Sequence, residues 1–196
     1  MLTSARVVGI GLPMAAAGTA MHVGELRPSA VLAIGTCGAY AGAGLAIGEV
    51  IVARRVRLVD PSALRGLSEF PRPMSIIAEA WAPMADAIAG ATGARLADVA
   101  TTLAITVEDG LADQIARATG AAVEHLEAHA VATACAARGI PFGAVLGVAN
   151  IVGARARDEW RVHHHEAARA AAGAVLQWLQ VARLSDLEPL KGDSPR

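Results

Sequence analysis

Apolar residues in this chain fall into short blocks, set apart by glycine, proline and polar stretches, and the blocks alternate between continuous apolar runs and helical spacing. Residues 6–11 read as a short buried strand, and the Ala-rich segment 13–25 as the helix after it, with Pro13 at its start. Residues 30–34 form a second strand, ending in Gly35-Thr36-Cys37-Gly38. Residues 49–58 alternate as a third, reached through a glycine loop. Residues 56–73 are polar and proline-bearing, the pattern of a mobile loop. The spacing then predicts a helix over 75–89, a threonine-bearing strand over 95–107, and a short helix over 111–119 closed by Gly120. A strand at 121–123, a helix at 127–137 and a strand at 142–150 repeat the theme, before a long helix over 158–183 and a polar tail over 185–196. Strands alternating with helices at these lengths imply an α/β domain with a mostly parallel sheet covered on both faces. Residues 1–184 are expected to form a single domain, with Val7, Val8, Val31, Leu32, Val145 and Leu146 in its core.

Composition narrows the classes of function. With 196 residues and 54% hydrophobic content, the chain can bury a substantial core. A net charge of −1 and 3% aromatic residues provide no electrostatic or stacking footprint for nucleic acid. The uncharged stretch 29–48 is about as long as a membrane span, but Gly35, Gly38, Gly42, Gly44 and Gly48 interrupt it as a strand feeding a loop would require. No basic segment precedes an apolar run at the start, so no secretory signal is expected. Cys37 and Cys135, both in apolar surroundings, suit free thiols in a reducing cytoplasm.

In parallel sheets ligands gather beyond the carboxyl ends of the strands, and this rule selects the candidate chemistry. Gly35-Thr36-Cys37-Gly38, Ile105-Thr106-Val107, the run Glu124 to Glu127, and Asn150 all lie at or just past predicted strand ends, where together they would form one cleft. Each has a plain structural reading as well: a tight turn for the glycines, dipole-complementing acids for Glu124 and Glu127, and a cap for Asn150. Their combination is what carries the signal. His163-His164-His165 point about 100° apart on a helix and cannot all reach one ion. His125 and His129 have i, i+4 spacing, but no metal or cofactor is expected. Trp160 and Trp178 read as packing residues of the terminal helix.

These segments resemble the purine nucleoside phosphorylase and nucleosidase superfamily over nearly the whole chain. Residues 5–20 look like its glycine-bearing strand and helix. Residues 31–50, with Gly35-Thr36-Cys37-Gly38 and Gly48-Glu49-Val50, look like its Gly-Ser-x-Gly and Gly-Asp-Ile/Val stretch. Residues 123–131 resemble its Val-Glu-Met-Glu-x-Ala-Ala helix start, with Leu126 in place of Met. The resemblance implies a three-layer fold whose central, mostly parallel mixed sheet is flanked by helices. It further implies that Glu127 holds the ribose hydroxyls, that Leu126 packs on sugar or base, and that Asn150 reads the purine at N7 and its exocyclic position. An Asn offers both donor and acceptor and so suits a 6-oxopurine, whereas an Asp suits a 6-aminopurine. The continuation Asn150-Ile151-Val152-Gly153-x-Arg155-x-x-x-x-Trp160 is similar to futalosine hydrolases, nucleosidases of a menaquinone pathway that release hypoxanthine. Arg155 or Arg157 is a candidate for the substrate's benzoate, with a solvated arginine as the alternative. The implied substrate-binding set is Thr36, Cys37, Gly38, Thr106, Val107, Glu124, Leu126, Glu127, Asn150 and Arg155, with Glu127 and Asn150 catalytic.

The bacterial phosphorylases of the family hold phosphate with an arginine three residues before the position of Thr36, where this chain has Ala33. A methyl group cannot bind a dianion, so water is the expected nucleophile. Family members begin with a strand and hairpin ahead of the segment equivalent to Ala5, and in the hydrolases that region carries the acid that activates water. The sequence starts after that region, so either another base is expected to serve, with Glu124, Glu49 and Glu108 as candidates, or a partner chain to complete the site. The alternatives are a phosphorylase of 6-oxopurine nucleosides, or a nucleoside-binding or assembly subunit without turnover. A homo-oligomer is expected, because family sites border a subunit interface and the composition is unusually apolar.

Overall fold

The computed structural model describes residues 5–181. Local signals set most helix ends. Helix α1 (Leu12–Leu26) carries Pro13 in its first turn and ends at Arg27 in the left-handed conformation. Helix α4 (Asp109–Thr119) starts where the Glu108 carboxylate accepts the N–H groups of Gly110 and Leu111, and closes on Gly120 at φ 68°. Between and around these run β1 (Val31–Ala39), β2 (Val50–Val59), the short α2 (Pro61–Leu64), β3 (Ile77–Glu79), α3 (Ala82–Thr92), β4 (Arg95–Thr102), β5 (Val123–Glu124), α5 (Ala128–Ala136), β6 (Phe142–Ile151) and α6 (Ala156–Val181).

The sheet runs β3-β2-β4-β5-β1-β6, and β6 also pairs with β2, so five strands close on themselves with β3 outside. Its long pairings are parallel: β1 with β6 from Val31↔Phe142 to Ala39↔Ile151, and β2 with β4 from Ile51↔Arg95 to Val59↔Thr102. The antiparallel joints are short, at β1/β5, β2/β6 and β2/β3. All but the last residue of β6 are buried, which explains why that strand reads as an unbroken apolar run instead of an alternating one. Helix α6 packs on β6 and β1, and α1 packs against α5. Val145 and Leu146 are fully buried as expected, whereas Val31 and Leu32 are half-buried. Cys37 and Cys135 are free and buried, and burial pushes both thiols up, Cys135 to about 11. Among the described residues no helix is long and apolar enough to cross a membrane.

Several expected boundaries move. Residues 6–11 form no strand, and Val7 is 88% exposed instead of core: the segment lies back on α1, with the Val8 backbone against Gly18 and His22 Nε2 3.1 Å from the Val7 carbonyl oxygen. The helix expected over 75–89 divides into β3 and α3. Pro83 lacks an N–H and clashes within a helix interior, so it occupies the first turn of a helix that starts at Ala82. Strand β1 continues through Gly35–Gly38 where a turn was expected, β4 stops at Thr102, and β5 is Val123–Glu124. Of the supposed loop 56–73, residues 56–59 belong to β2, and Asp60 caps α2 through the Ser62 N–H. The final residues of the expected terminal helix and the tail 185–196 lie outside the described residues.

Candidate active site

The candidate residues gather along the second half of β1. Gly38 pairs in register with Glu124 of β5 on one side and with Asn150 of β6 on the other. A register shift between Cys37 and Gly38 skips Ala149 and brings Asn150 opposite Gly38. The lack of a side chain there is a steric requirement, since a β-carbon on Gly38 would stand 2.6 Å from Asn150 Nδ2 and 2.8 Å from Val152 Cγ2. Asn150 is buried, yet no side chain or backbone group among the described residues hydrogen-bonds its carboxamide. Its donor and acceptor are therefore uncommitted within the chain.

Glu127 occupies the N-cap position of α5, but its own side chain makes no cap hydrogen bond. The open N–H groups are shared by two other side chains: His125 Nδ1 accepts those of Glu127 at 3.2 Å and Ala128 at 3.0 Å, and the Thr101 hydroxyl accepts that of His129 at 3.2 Å. Freed from capping, the Glu127 carboxylate accepts the Gly11 N–H at 2.7 Å through Oε1, while Oε2 lies 3.4 Å from His125 Nε2. Burial lowers the His125 pKa and the nearby Glu127 charge acts in the opposite direction, with burial prevailing. The imidazole is thus neutral, with Nδ1 as acceptor. Sequence reasoning considered His125 only as half of a metal pair with His129. That pair does not form: His129 turns inward, with its ring 3.3 Å from the Thr133 hydroxyl. The spacing His-x-Glu ahead of a helix start was the available signal for its capping role.

Glu124 lies only three positions away and has a different fate. Its carboxylate accepts the Thr106 N–H at 3.0 Å, the Thr106 hydroxyl at 2.6 Å and the Tyr40 hydroxyl at 3.3 Å. Burial raises its pKa, and the hydrogen bonds from Thr106 and Tyr40 only partly offset that rise. This acid braces the loop after β4 to Tyr40, just past the end of β1. Thr106 is likewise consumed by that brace, whereas Val107 beside it is 55% exposed.

The remaining candidates divide. The Thr36 hydroxyl accepts the Trp160 indole N–H at 3.2 Å, and Trp160 in turn stacks on His164 with ring centroids 4.2 Å apart. Trp160 therefore sits beside β1 as well as packing on its own helix. Cys37 belongs to the apolar core, with its thiol buried. Leu126 is half-buried next to Glu127. Arg155 is 82% exposed and lies 3.4 Å from Glu159 one turn on, while Glu159 accepts the Ile151 N–H at 2.8 Å. The proposed substitutes for a water-activating acid are held in their own turns: Glu108 caps α4, and Glu49 accepts the Ala46 N–H at 2.6 Å. Glu49 lines a separate cleft of about 510 Å³ with Arg95 and Gln177, which none of the implied substrate-binding residues reach.

The Asn150 carboxamide at the end of β6 and the Glu127 carboxylate, anchored by the Gly11 N–H at the start of α5, are the polar groups that this α/β fold leaves for a ligand among the candidates. The chain belongs to the phosphorylase superfamily, whose family model matches residues 5–181. Solved structures share the fold. The S-adenosylhomocysteine nucleosidase of Streptococcus pyogenes, in complex with 5-methylthiotubericidin, superposes with a TM-score of 0.80 at 23% identity, over 90% of this chain and 78% of that one. The 5'-methylthioadenosine/S-adenosylhomocysteine nucleosidase of Neisseria meningitidis reaches 0.78 at 20% identity, over 90% and 80%. The futalosine hydrolase of Helicobacter pylori strain 26695 reaches 0.79 at 18% identity, over 89% and 78%. No curated protein matches the chain in sequence.

Proposed function

We propose that this protein is a nucleosidase that hydrolyses the N-glycosidic bond of a purine nucleoside, with futalosine as substrate and hypoxanthine as the released base. The observation that carries the reading is that Asn150 lies opposite Gly38 of β1 while Glu127 is held at the start of α5 beside His125, whose ring lies against Gly35 of the same strand, with an amide at the base-reading position where a carboxylate would favour an aminopurine. A carboxylate anchored by Gly11 can accept from paired ribose hydroxyls, and its grip strengthens as positive charge develops on the sugar ring. A carboxamide donating to the departing purine stabilises the charge that builds there. Both effects are larger in the transition state than in the bound substrate, which is what accelerates bond cleavage.

Water as the nucleophile is supported by Ala33, a half-buried methyl packed against the core where a phosphate-binding arginine would otherwise stand. The nucleosidase names of the structural relatives agree with this reading. Measuring hypoxanthine release from futalosine and from inosine, with and without phosphate, tests it. Release from futalosine without phosphate is expected, strict phosphate dependence would make the protein a phosphorylase, and tight binding without release would make it a non-catalytic binding subunit.

We further propose a homo-oligomer. Val7, Ile10, Leu103, Val107 and Val162 are each more than half exposed, an apolar surface that a second copy would cover. Light scattering at the mass of one chain would contradict this.

A further inference from the structure

We propose that His125 is a positioning residue for Glu127: one imidazole starts helix α5 and steers the carboxylate that the proposed nucleosidase uses on the ribose, so the inference rests on that reading. Three observations of the fold carry it. His125 Nδ1 accepts two N–H groups of the first turn of α5, from Glu127 and Ala128, and is thereby fixed as an unprotonated acceptor. In a neutral imidazole the proton must then reside on Nε2. That nitrogen lies 3.4 Å from Glu127 Oε2, while Oε1 is held by Gly11, so the carboxylate is approached from both sides by groups bearing hydrogen. Finally, the ring lies close against Gly35 of β1, where a β-carbon would stand 3.2 Å from Nε2 and would press on the ring by a few tenths of an ångström.

The arrangement divides two tasks that one acid at a helix start ordinarily combines. An acidic N-cap normally turns back to bind its own helix N–H groups. Here the imidazole takes the N–H groups of Glu127 and Ala128 and the Thr101 hydroxyl takes that of His129, so Glu127 keeps its helix-start position while its carboxylate, 19% exposed, turns away from the helix to Gly11. His125 cannot act as the base that deprotonates water, because Nδ1 is occupied by backbone donors and Nε2 already carries the proton.

His125→Asn separates the two tasks. Asparagine is a good acceptor for helix N–H groups, but its shorter side chain does not extend to the Glu127 carboxylate. The expected result is a fall of about tenfold in kcat/KM for the nucleoside. The Kd for free hypoxanthine, which has no ribose for Glu127 to hold, should stay within about twofold by calorimetry. In a double-mutant cycle, adding His125→Asn to Glu127→Gln should cost little more than Glu127→Gln alone. Equal losses for nucleoside and free base, or additive losses in the cycle, would overturn the proposal. A second readout needs no turnover and so separates this inference from the functional reading. Long-range proton–nitrogen correlation of the imidazoles in the labelled protein should show His125 as the neutral Nε2–H tautomer, with its Nε2 resonance shifted by Glu127→Gln. An Nδ1–H tautomer, or no response to Glu127→Gln, would overturn it even if no base were ever released.

Discussion

The carboxamide of Asn150 lies across Gly38 so closely that a β-carbon on Gly38 would stand 2.6 Å from Asn150 Nδ2. The same β-carbon would meet the stiff, β-branched Val152 at 2.8 Å, so neither neighbour can be avoided by a simple rotation. Gly38→Ala should therefore destabilise the fold by about 1–3 kcal/mol, the usual cost of overpacking. It should also weaken hypoxanthine binding more than a neutral change elsewhere on β1. Denaturant titration and calorimetry check both parts, and an unchanged Kd would show that Asn150 does not read the base.

Asn150→Asp replaces a group that donates and accepts with one that, ionised, only accepts. Turnover should shift from a hypoxanthine-bearing towards an adenine-bearing nucleoside, moving the ratio of kcat/KM values by roughly tenfold or more, as expected when a buried polar site loses its hydrogen-bonding match. Parallel assays on inosine and adenosine, or on futalosine and its amino analogue, measure the ratio. An unaltered ratio would remove Asn150 from the role of base reader.

Glu127 and Glu124 should respond in opposite ways. Glu127→Gln is expected to lower turnover by about a hundredfold or more with little change in Tm, because its carboxylate is half free and its loss removes charge stabilisation of the transition state. Glu124→Ala should instead lower stability by about 1–3 kcal/mol, since Thr106 and Tyr40 lose a buried acceptor. Thermal unfolding beside a base-release assay separates the two. A large Tm loss in Glu127→Gln with normal turnover would reverse the assignment.

Stability should fall on mild acidification. Burial lowers the pKa values of His125 and His129, opposed by the Glu127 charge for the first and by a hydrogen bond from the ring to the Ser75 backbone carbonyl for the second. The unfolded chain then takes up protons near the ordinary histidine value of 6.5 that the native protein refuses. The stabilisation is complete above that value and is lost as pH drops below it, by at most ~1.4 kcal/mol per pH unit for each ring. Glu124 acts in the opposite sense at lower pH: its raised pKa means that stability rises as pH falls through its folded value towards the ordinary carboxylate range. Denaturant midpoints at about pH 5.5, 6.5 and 7.5 should decline towards acid, and His129→Gln should flatten the decline. Equal midpoints across the range would refute the neutral assignment of both rings.

The legible parts of the sequence were those governed by neighbours in the chain. Pro13 and Gly120 marked helix ends correctly, and the apolar run of β6 could be read directly because both faces of that strand are buried. Residues 6–11 misled for the converse reason. Their composition suits a strand, but a strand exists only where its backbone meets a partner edge, and here the Val7 and Val8 backbone lies against His22 and Gly18 of α1 instead. The helix expected over 75–89 failed where an edge position on β2 was open to residues 77–79 and Pro83 imposed a new start.

By itself, then, the sequence determined the alternation of strands and helices and placed two acids and an amide near their ends, because spacing, proline and glycine act over a few residues. Which acid remained free was a tertiary decision. Glu124 found its partners 18 and 84 positions away, in Thr106 and Tyr40, and was consumed by them. Glu127 was anchored by Gly11, 116 positions away, beside a histidine whose ring lies close against a glycine of β1. Such outcomes depend on distances between strands remote in sequence, which no local pattern encodes.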